Sequence, residues 1–161
     1  MTEPFRARPG GAAVAEVAAG LRVLVVDDDR TVREGCVSVL QLDGHQVTAT
    51  ARGDEALELL RRRRYDLVLV ELALAPVGGL ELVRTAVAAH PGVLVVAMSG
   101  DSSVVGSIEA LRTGAWDYLP KPFSASQLQV LANSSHSLRV DVPEAMRAAI
   151  AEFVTDAAPR G

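Results

Sequence analysis

Charged side chains follow three apolar runs of this chain, in positions suited to bind a cation and a phosphoryl group. Asp27 and Asp28 come directly after the run 21–26, and Glu71 ends a second run. Lys121 follows the last run. If these runs are parallel strands, their carboxyl ends meet at one sheet edge. Carboxylate oxygens suit Mg²⁺, and an ammonium pairs with phosphate oxygens, so the set predicts a site for Mg²⁺ and phosphate.

The pattern between residues 21 and 138 alternates strands with helices. Strands are predicted at 21–26, 45–50, 66–71, 93–98 and 116–119. Helices are predicted at 31–42, 54–63, 80–89, 104–113 and 126–138. Three strands are nearly unbroken runs of Val and Leu, which is typical of a parallel sheet buried on both faces. Five such units with short loops predict an α/β fold, a doubly wound parallel sheet in a three-layer sandwich.

The composition excludes several classes of protein. The 161 residues are 49% hydrophobic but only 4% aromatic, which indicates one domain with an aliphatic core. A net charge of −4 argues against a nucleic-acid surface, and the basic run 61–64 is typical of an exposed helix end. Because Cys36 is the single cysteine, a disulfide framework and a thiolate metal site are excluded.

The two flanks differ from the central region. Residues 1–20 are rich in Ala, Gly and Pro and lack a signal-peptide core, so we expect a flexible arm on a cytoplasmic protein. No apolar run reaches membrane-spanning length. Residues 139–161 contain apolar positions at helical spacing between 146 and 154, which predicts a short amphipathic helix. The tail is too short for an output domain, and its helix must dock to be stable.

Four segments repeat a known arrangement in order and spacing. They are 25–28 (VVDD), 66–71 (DLVLVE) with Gly79 eight residues later, 95–100 (VVAMSG) and 114–123 (GAWDYLPKPF). Together they resemble the receiver domain of two-component response regulators over residues 21–138. The resemblance implies a flavodoxin-like (βα)₅ fold and a role in phosphorelay signal transduction, as a signalling module and not an enzyme.

The resemblance also assigns roles to single residues. It implies that Mg²⁺ is held by the side chains of Asp27, Asp28 and Glu71 and by the backbone carbonyl of Ala73. Position 71 matches the phosphoacceptor of the family. Magnesium keeps several waters, so few protein ligands suffice.

Three further residues match the family's phosphate-sensing parts. The hydroxyl of Ser99 would bond the phosphoryl group, Lys121 would pair with its charge, and Tyr118 would be the aromatic switch. The Lys121–Pro122 peptide bond is expected to be cis. Each also has an ordinary structural interpretation: Ser99 as a loop hydroxyl, Tyr118 as half-buried packing and Lys121 as a surface lysine. These alternatives stay open, but all three positions agree on one site.

The family's partner surface matches the fourth helix, fifth strand and fifth helix. Its positions here are Ile108, Arg112, Asp117, Tyr118 and Gln127. Because we expect no output domain in the short tail after residue 138, we expect the signal to leave by protein contact, with a sensor histidine kinase, a downstream effector or a second copy as partner. Nucleic acid and membranes are not expected partners.

Glu71 departs from the family, which has aspartate there. The extra methylene shifts the carboxylate by roughly 1 Å, and such misplacement costs ~10²-fold in a transfer that depends on positioning. The loop 72–79 contains no other carboxylate, so we expect loss of phosphoacceptor function. A second departure is Pro76, which the family usually has at position 75, and this leaves the path of the Ala73 carbonyl open.

Three interpretations of Glu71 stay open. The chain is a phosphorylation-independent pseudo-receiver, or Glu71 partially imitates the phosphorylated state, or Glu71 is an engineered mimic of a natural aspartate. A phosphoryl group brings about −2 charge and three acceptor oxygens, whereas Glu brings −1 and two. The retained Asp27, Asp28, Ser99 and Lys121 favour mimicry.

Two rival resemblances are weaker. The segment 27–32 fits the opening motif of haloacid-dehalogenase-type phosphatases, but the later acid pair is lacking. Asp28 or Asp29 is equally suited to cap the helix that follows. Residues 131–139 resemble the phosphoacceptor segment of histidine kinases around His136, yet we expect them to form the fifth helix with His136 on its exposed side.

Overall fold

A parallel five-stranded sheet lies between two helical layers. The computed structural model of the chain describes residues 20–100 and 104–141. The elements in chain order are β1 Arg22–Val26, α1 Arg30–Leu42, β2 Gln46–Thr50, α2 Gly53–Arg62, β3 Leu67–Glu71, α3 Gly79–Ala89, β4 Leu94–Ser99, α4 Val104–Thr113, β5 Asp117–Pro120 and α5 Ala125–Asp141. The strand order is β2-β1-β3-β4-β5, which confirms the predicted flavodoxin-like (βα)₅ fold.

The two faces of the sheet carry two hydrophobic cores. Alternate residues of a strand point to opposite faces, and in β1 both sets are fully buried. Val23 and Val25 pack with α1 and α5, whereas Leu24 and Val26 pack on the side of α2, α3 and α4. Burial on both faces explains why the central strands lack the polar alternation of a half-exposed sheet.

The helix ends show which aspartate caps α1 and revise the predicted end of α5. Asp29 caps α1, because its side chain accepts hydrogen bonds from the N–H groups of Thr31 at 2.9 Å and Val32 at 3.2 Å. Helix α5 extends to Asp141, past the end expected at 138. The predicted arm before Gly20 and the amphipathic tail at 146–154 lie outside the described residues and stay predictions.

The strand register brings the carboxyl ends of four strands level. Val26 of β1 pairs with Val70, Glu71 of β3 with Met98, and Ser99 of β4 with the last residue of β5. Residues at or just after these ends therefore lie side by side along one edge of the sheet. This edge is where open α/β sheets bind their ligands.

Gly79 allows α3 to start directly against the end of β3. A Cβ atom at position 79 would collide with the carbonyl oxygen of Glu71 and with Cα of Leu72. The Gly79 N–H also donates to the carbonyl of Leu72 at 3.3 Å. The absence of a side chain at this position thus sets the distance between α3 and the residue that carries the key carboxylate.

Candidate functional site

Lys121 lies between the carboxylates of Asp27 and Glu71. Its Nζ is 2.7 Å from Oδ2 of Asp27 and 2.5 Å from Oε1 of Glu71. The side chain of Lys121 is 14% exposed, against 0% for Asp27 and 7% for Glu71. Because the Lys121 N–H donates to the carbonyl of Ser99 at 2.8 Å, its backbone is tied to the end of β4. The ammonium thus reaches across β4 to groups on β3 and β1.

Backbone amides hold the second oxygen of each carboxylate. Oδ1 of Asp27 accepts from the N–H of Asp29 at 2.8 Å, and Oε2 of Glu71 accepts from the N–H of Ala73 at 2.9 Å. Arg33 adds a second cation beside the pocket, where its guanidinium donates to the Asp27 carbonyl at 2.8 Å. All four carboxylate oxygens therefore have a positively polarised partner.

The electrostatics keep the proton on Lys121. Burial alone would lower the pKa of Lys121, but hydrogen bonds with Asp27 and Glu71 raise it above the usual value of 10.5. Burial also raises the pKa of Asp27, which the hydrogen bonds from Lys121 and the Asp29 N–H oppose. The pocket thus places a buried ammonium between the carboxyl groups of two acidic residues, an arrangement whose parts depend on one another.

The other residues expected at the site occupy different surroundings. Asp28 is exposed, whereas Ser99 is 7% exposed at the last position of β4. Tyr118 is half-buried and packs against the core on the α2, α3 and α4 side. The Lys121–Pro122 bond is cis, as expected from the sequence, and so is Ala75–Pro76.

The geometry does not fit Mg²⁺ while Lys121 is in place. Magnesium requires near-ideal octahedral oxygen coordination and gives up its waters reluctantly. Within residues 20–100 and 104–141, no three acidic, histidine or cysteine side chains are grouped to hold a metal ion. The two buried carboxylates of this pocket, those of Asp27 and Glu71, already share one ammonium.

A hydrophobic surface lies away from this pocket, on α4, β5 and α5. Ile108 is 43% exposed, Trp116 is 37% and Val130 is 66%. A groove of about 450 Å³ runs between β5 and α5, and Asp117, Tyr118 and Gln127 line it together with Trp116 and Val130. Three of the five positions expected to bind partners thus border one groove, and Ile108 and the exposed Arg112 lie on α4.

The placement of His136 on the exposed side of α5 is wrong. Its ring is half-buried and packs edge-on against His45, with ring centroids 6.1 Å apart. His45 is 6% exposed, and its Nδ1 accepts a hydrogen bond from the N–H of Leu21 at 3.0 Å. The apolar spacing of α5 could not reveal this contact, because its partner lies about 90 residues earlier.

Sequence reasoning also missed Arg33. It lies one turn into α1, where an arginine is an ordinary surface residue, and no motif singles it out. Its distance to Asp27 depends on how α1 packs beside β1.

Comparison with known proteins identifies the domain. The sequence model of the family described as response regulator receiver domain matches residues 23–133. The chain belongs to this family. Receiver domains act in two-component signalling, where they interact with kinases and effectors, and they are signalling modules in general.

Curated relatives of this receiver domain are longer proteins. Response regulator MprA of Mycobacterium sp. (strain KMS) is 36% identical over 124 residues, which cover 77% of this chain and 53% of MprA. Transcriptional regulatory protein ZraR of Escherichia coli (strain K12) is 34% identical over 125 residues, 75% of this chain and 28% of ZraR. The chain thus spans about half or less of the length of these relatives.

Solved receiver structures share the fold. A CheY-like receiver domain protein from Methanospirillum hungatei JF-1 superposes with a TM-score of 0.72 at 25% identity, over 76% of this chain and 98% of that one. NtrX from Brucella abortus, in complex with ADP, superposes with a TM-score of 0.70 at 27% identity, over 88% of this chain and 31% of NtrX. In the described part of this receiver domain, the helices are too short or too polar to cross a membrane.

Proposed function

We propose that Glu71 stands at the position of the phosphoacceptor aspartate and that this receiver domain signals by protein contact without being phosphorylated. The contact between Oε1 of Glu71 and Nζ of Lys121, at 2.5 Å, carries the proposal. By the family resemblance, Lys121 is the group that a phosphoryl charge would engage. In this chain the glutamate already engages it, and the loop 72–79 offers no other carboxylate as acceptor.

The same contact favours partial imitation of the phosphorylated state over a neutral adaptor. Glu71 presents one oxygen to Lys121 and the other to the Ala73 N–H. A phosphoryl group would bring about one more negative charge and one more acceptor oxygen. The imitation is therefore incomplete, because a single carboxylate cannot reproduce three oxygens with distinct partners.

The output surface in this proposal is the face of α4, β5 and α5. Its exposed apolar side chains and the groove beside Tyr118 suit a protein partner. The partner is a sensor histidine kinase, a downstream effector or a second copy of the chain, in the cytoplasm. Signalling through this face does not require catalysis by the domain.

Phosphorylation by a small donor tests the first part. Acetyl phosphate and Mg²⁺ are added to the unsubstituted chain and to the variants Glu71→Asp and Glu71→Gln. The intact mass of each protein is then recorded. We expect the chain and Glu71→Gln to keep their masses, and Glu71→Asp to gain one phosphoryl group. A stable phosphoryl adduct on Glu71 itself would refute the proposal.

A second experiment separates imitation from a neutral role. Trp116 is the single tryptophan and borders the groove, so its fluorescence reports on the output face. Imitation predicts that the Trp116 emission spectrum of the unsubstituted chain resembles that of Glu71→Asp with beryllofluoride. It also predicts that the spectrum of Glu71→Gln resembles that of Glu71→Asp without beryllofluoride. A neutral adaptor predicts the same spectrum for the chain and Glu71→Gln.

A further inference from the structure

The pocket at the sheet edge already contains its own cation. Two buried carboxylates, those of Asp27 and Glu71, share the ammonium of Lys121 at 2.7 and 2.5 Å. In such a poorly solvated place, an unpaired carboxylate pair would repel strongly. The ammonium therefore offsets one of the two negative charges that a metal ion would otherwise be needed to offset.

A divalent ion would have to displace this ammonium. Mg²⁺ bound by Asp27 and Glu71 together would lie beside Nζ of Lys121, whose backbone is tied to Ser99. The guanidinium of Arg33, on the Asp27 carbonyl, adds positive charge on the β1 side. Two cations thus oppose entry of a third, while the second oxygen of each carboxylate is held by a backbone amide.

The length of Glu71 is what completes this arrangement. Its Oε1 reaches Lys121 while its Oε2 still accepts from the Ala73 N–H in the following loop. A side chain shorter by one methylene would withdraw the carboxylate by roughly 1 Å. The bridge from Lys121 to Glu71 would then lengthen, and the ammonium would be held mainly by Asp27.

We propose that Lys121 is the resident cation of this pocket and excludes divalent ions, and that loss of the Glu71–Lys121 bridge turns Asp27 and Glu71 into a divalent-ion site. This goes beyond the proposed function, with which it shares the Glu71–Lys121 contact. Binding of Mg²⁺ by the chain would overturn the exclusion and leave the absence of phosphorylation untouched. Phosphorylation of Glu71 would refute the proposed function without metal affinity being measured.

Mn²⁺ serves as the probe, because the electron paramagnetic resonance signal of free Mn²⁺ falls when the ion binds. The full chain, Lys121→Met, Lys121→Arg and Arg112→Met are titrated at pH 7. We expect Lys121→Met to bind at least about tenfold more tightly than the chain. Lys121→Arg, which keeps the charge, and Arg112→Met, which removes a charge on exposed α4, should behave like the chain.

Glu71→Asp keeps the proposal testable if Lys121→Met does not fold. It shortens the side chain at position 71, which lengthens the bridge, and it retains all charges, so we expect a gain in Mn²⁺ affinity that Mg²⁺ competes away. Equal Mn²⁺ affinity in the chain, Lys121→Met and Glu71→Asp would overturn the proposal, whether all three bind or none does.

Discussion

Oε1 of Glu71 lies 2.5 Å from Nζ of Lys121, although the two residues are 50 positions apart in the chain. The contact joins the end of β3 to the residue after β5, and Asp27 completes it from the end of β1. Three strand ends are thereby tied together by one ammonium.

The first prediction concerns the stability of this bridge. Lys121→Met leaves two buried carboxylates without their cation, so we expect a loss of about 3–5 kcal/mol in the free energy of unfolding. Adding Glu71→Gln to Lys121→Met should recover part of that loss, since one of the two charges is then removed. Urea denaturation of the chain, both single variants and the double variant at pH 7 measures the coupling. If the losses of the two single variants sum to the loss of the double variant, the bridge contributes no specific interaction energy.

The second prediction tests the close approach of α3 to β3. Gly79→Ala places a methyl group against the carbonyl of Glu71 and Cα of Leu72, so we expect a loss of about 1–3 kcal/mol. Gly78→Ala is the matched control, because a Cβ there meets nothing within 4 Å. Thermal unfolding of both variants is compared with the chain. Equal melting temperatures for the two variants would contradict the packing argument.

The third prediction distinguishes neighbouring aspartates. Asp29→Ala removes the acceptor of the N–H groups of Thr31 and Val32, and we expect it to cost about 1 kcal/mol. Asp28→Ala changes an exposed side chain beside it and serves as the control. Chemical denaturation followed by circular dichroism gives both values. A larger loss of stability from Asp28→Ala than from Asp29→Ala would show that Asp29 is not the residue that caps the helix.

The fourth prediction is a pH dependence set by His45. Burial and the neighbouring His136 lower the pKa of His45 below its ordinary 6.5, while Asp43 opposes them. Protonation would also place a hydrogen on Nδ1, which accepts the Leu21 N–H. Below about pH 6.5 the unfolded chain therefore takes up a proton that the folded chain resists, and stability falls as the pH falls.

The check on this pH dependence is His45→Asn, whose side-chain oxygen retains an acceptor near the position of Nδ1 but does not titrate. The free energy of unfolding is measured between pH 5 and 8 for both proteins. We expect the chain to lose stability relative to the variant on the acidic side. Parallel curves would exclude His45 as the cause.

Much of the fold follows from local sequence. The Val and Leu runs of β1, β3 and β4 predict buried strands because each residue must be apolar when both sheet faces are covered. Gly44, Gly92 and Gly114 mark helix ends, and all three adopt positive φ angles of 86–124°. Since parallel strands share one carboxyl edge, the grouping of Asp27, Glu71, Ser99 and Lys121 was also predictable.

The contacts within that grouping were decided by tertiary structure alone. Residue type does not say whether Lys121 bonds one carboxylate or bridges two, because the answer depends on how far β5 lies from β1 and on the path of its side chain. The same holds for Arg33 on the Asp27 carbonyl and for the packing of His136 on His45. The sequence by itself thus determined the elements and the edge where they converge, since strand periodicity and glycine stops are local. The sharing of one ammonium by two carboxylates depends on distances between residues far apart in the chain, and only the packed sheet sets those distances.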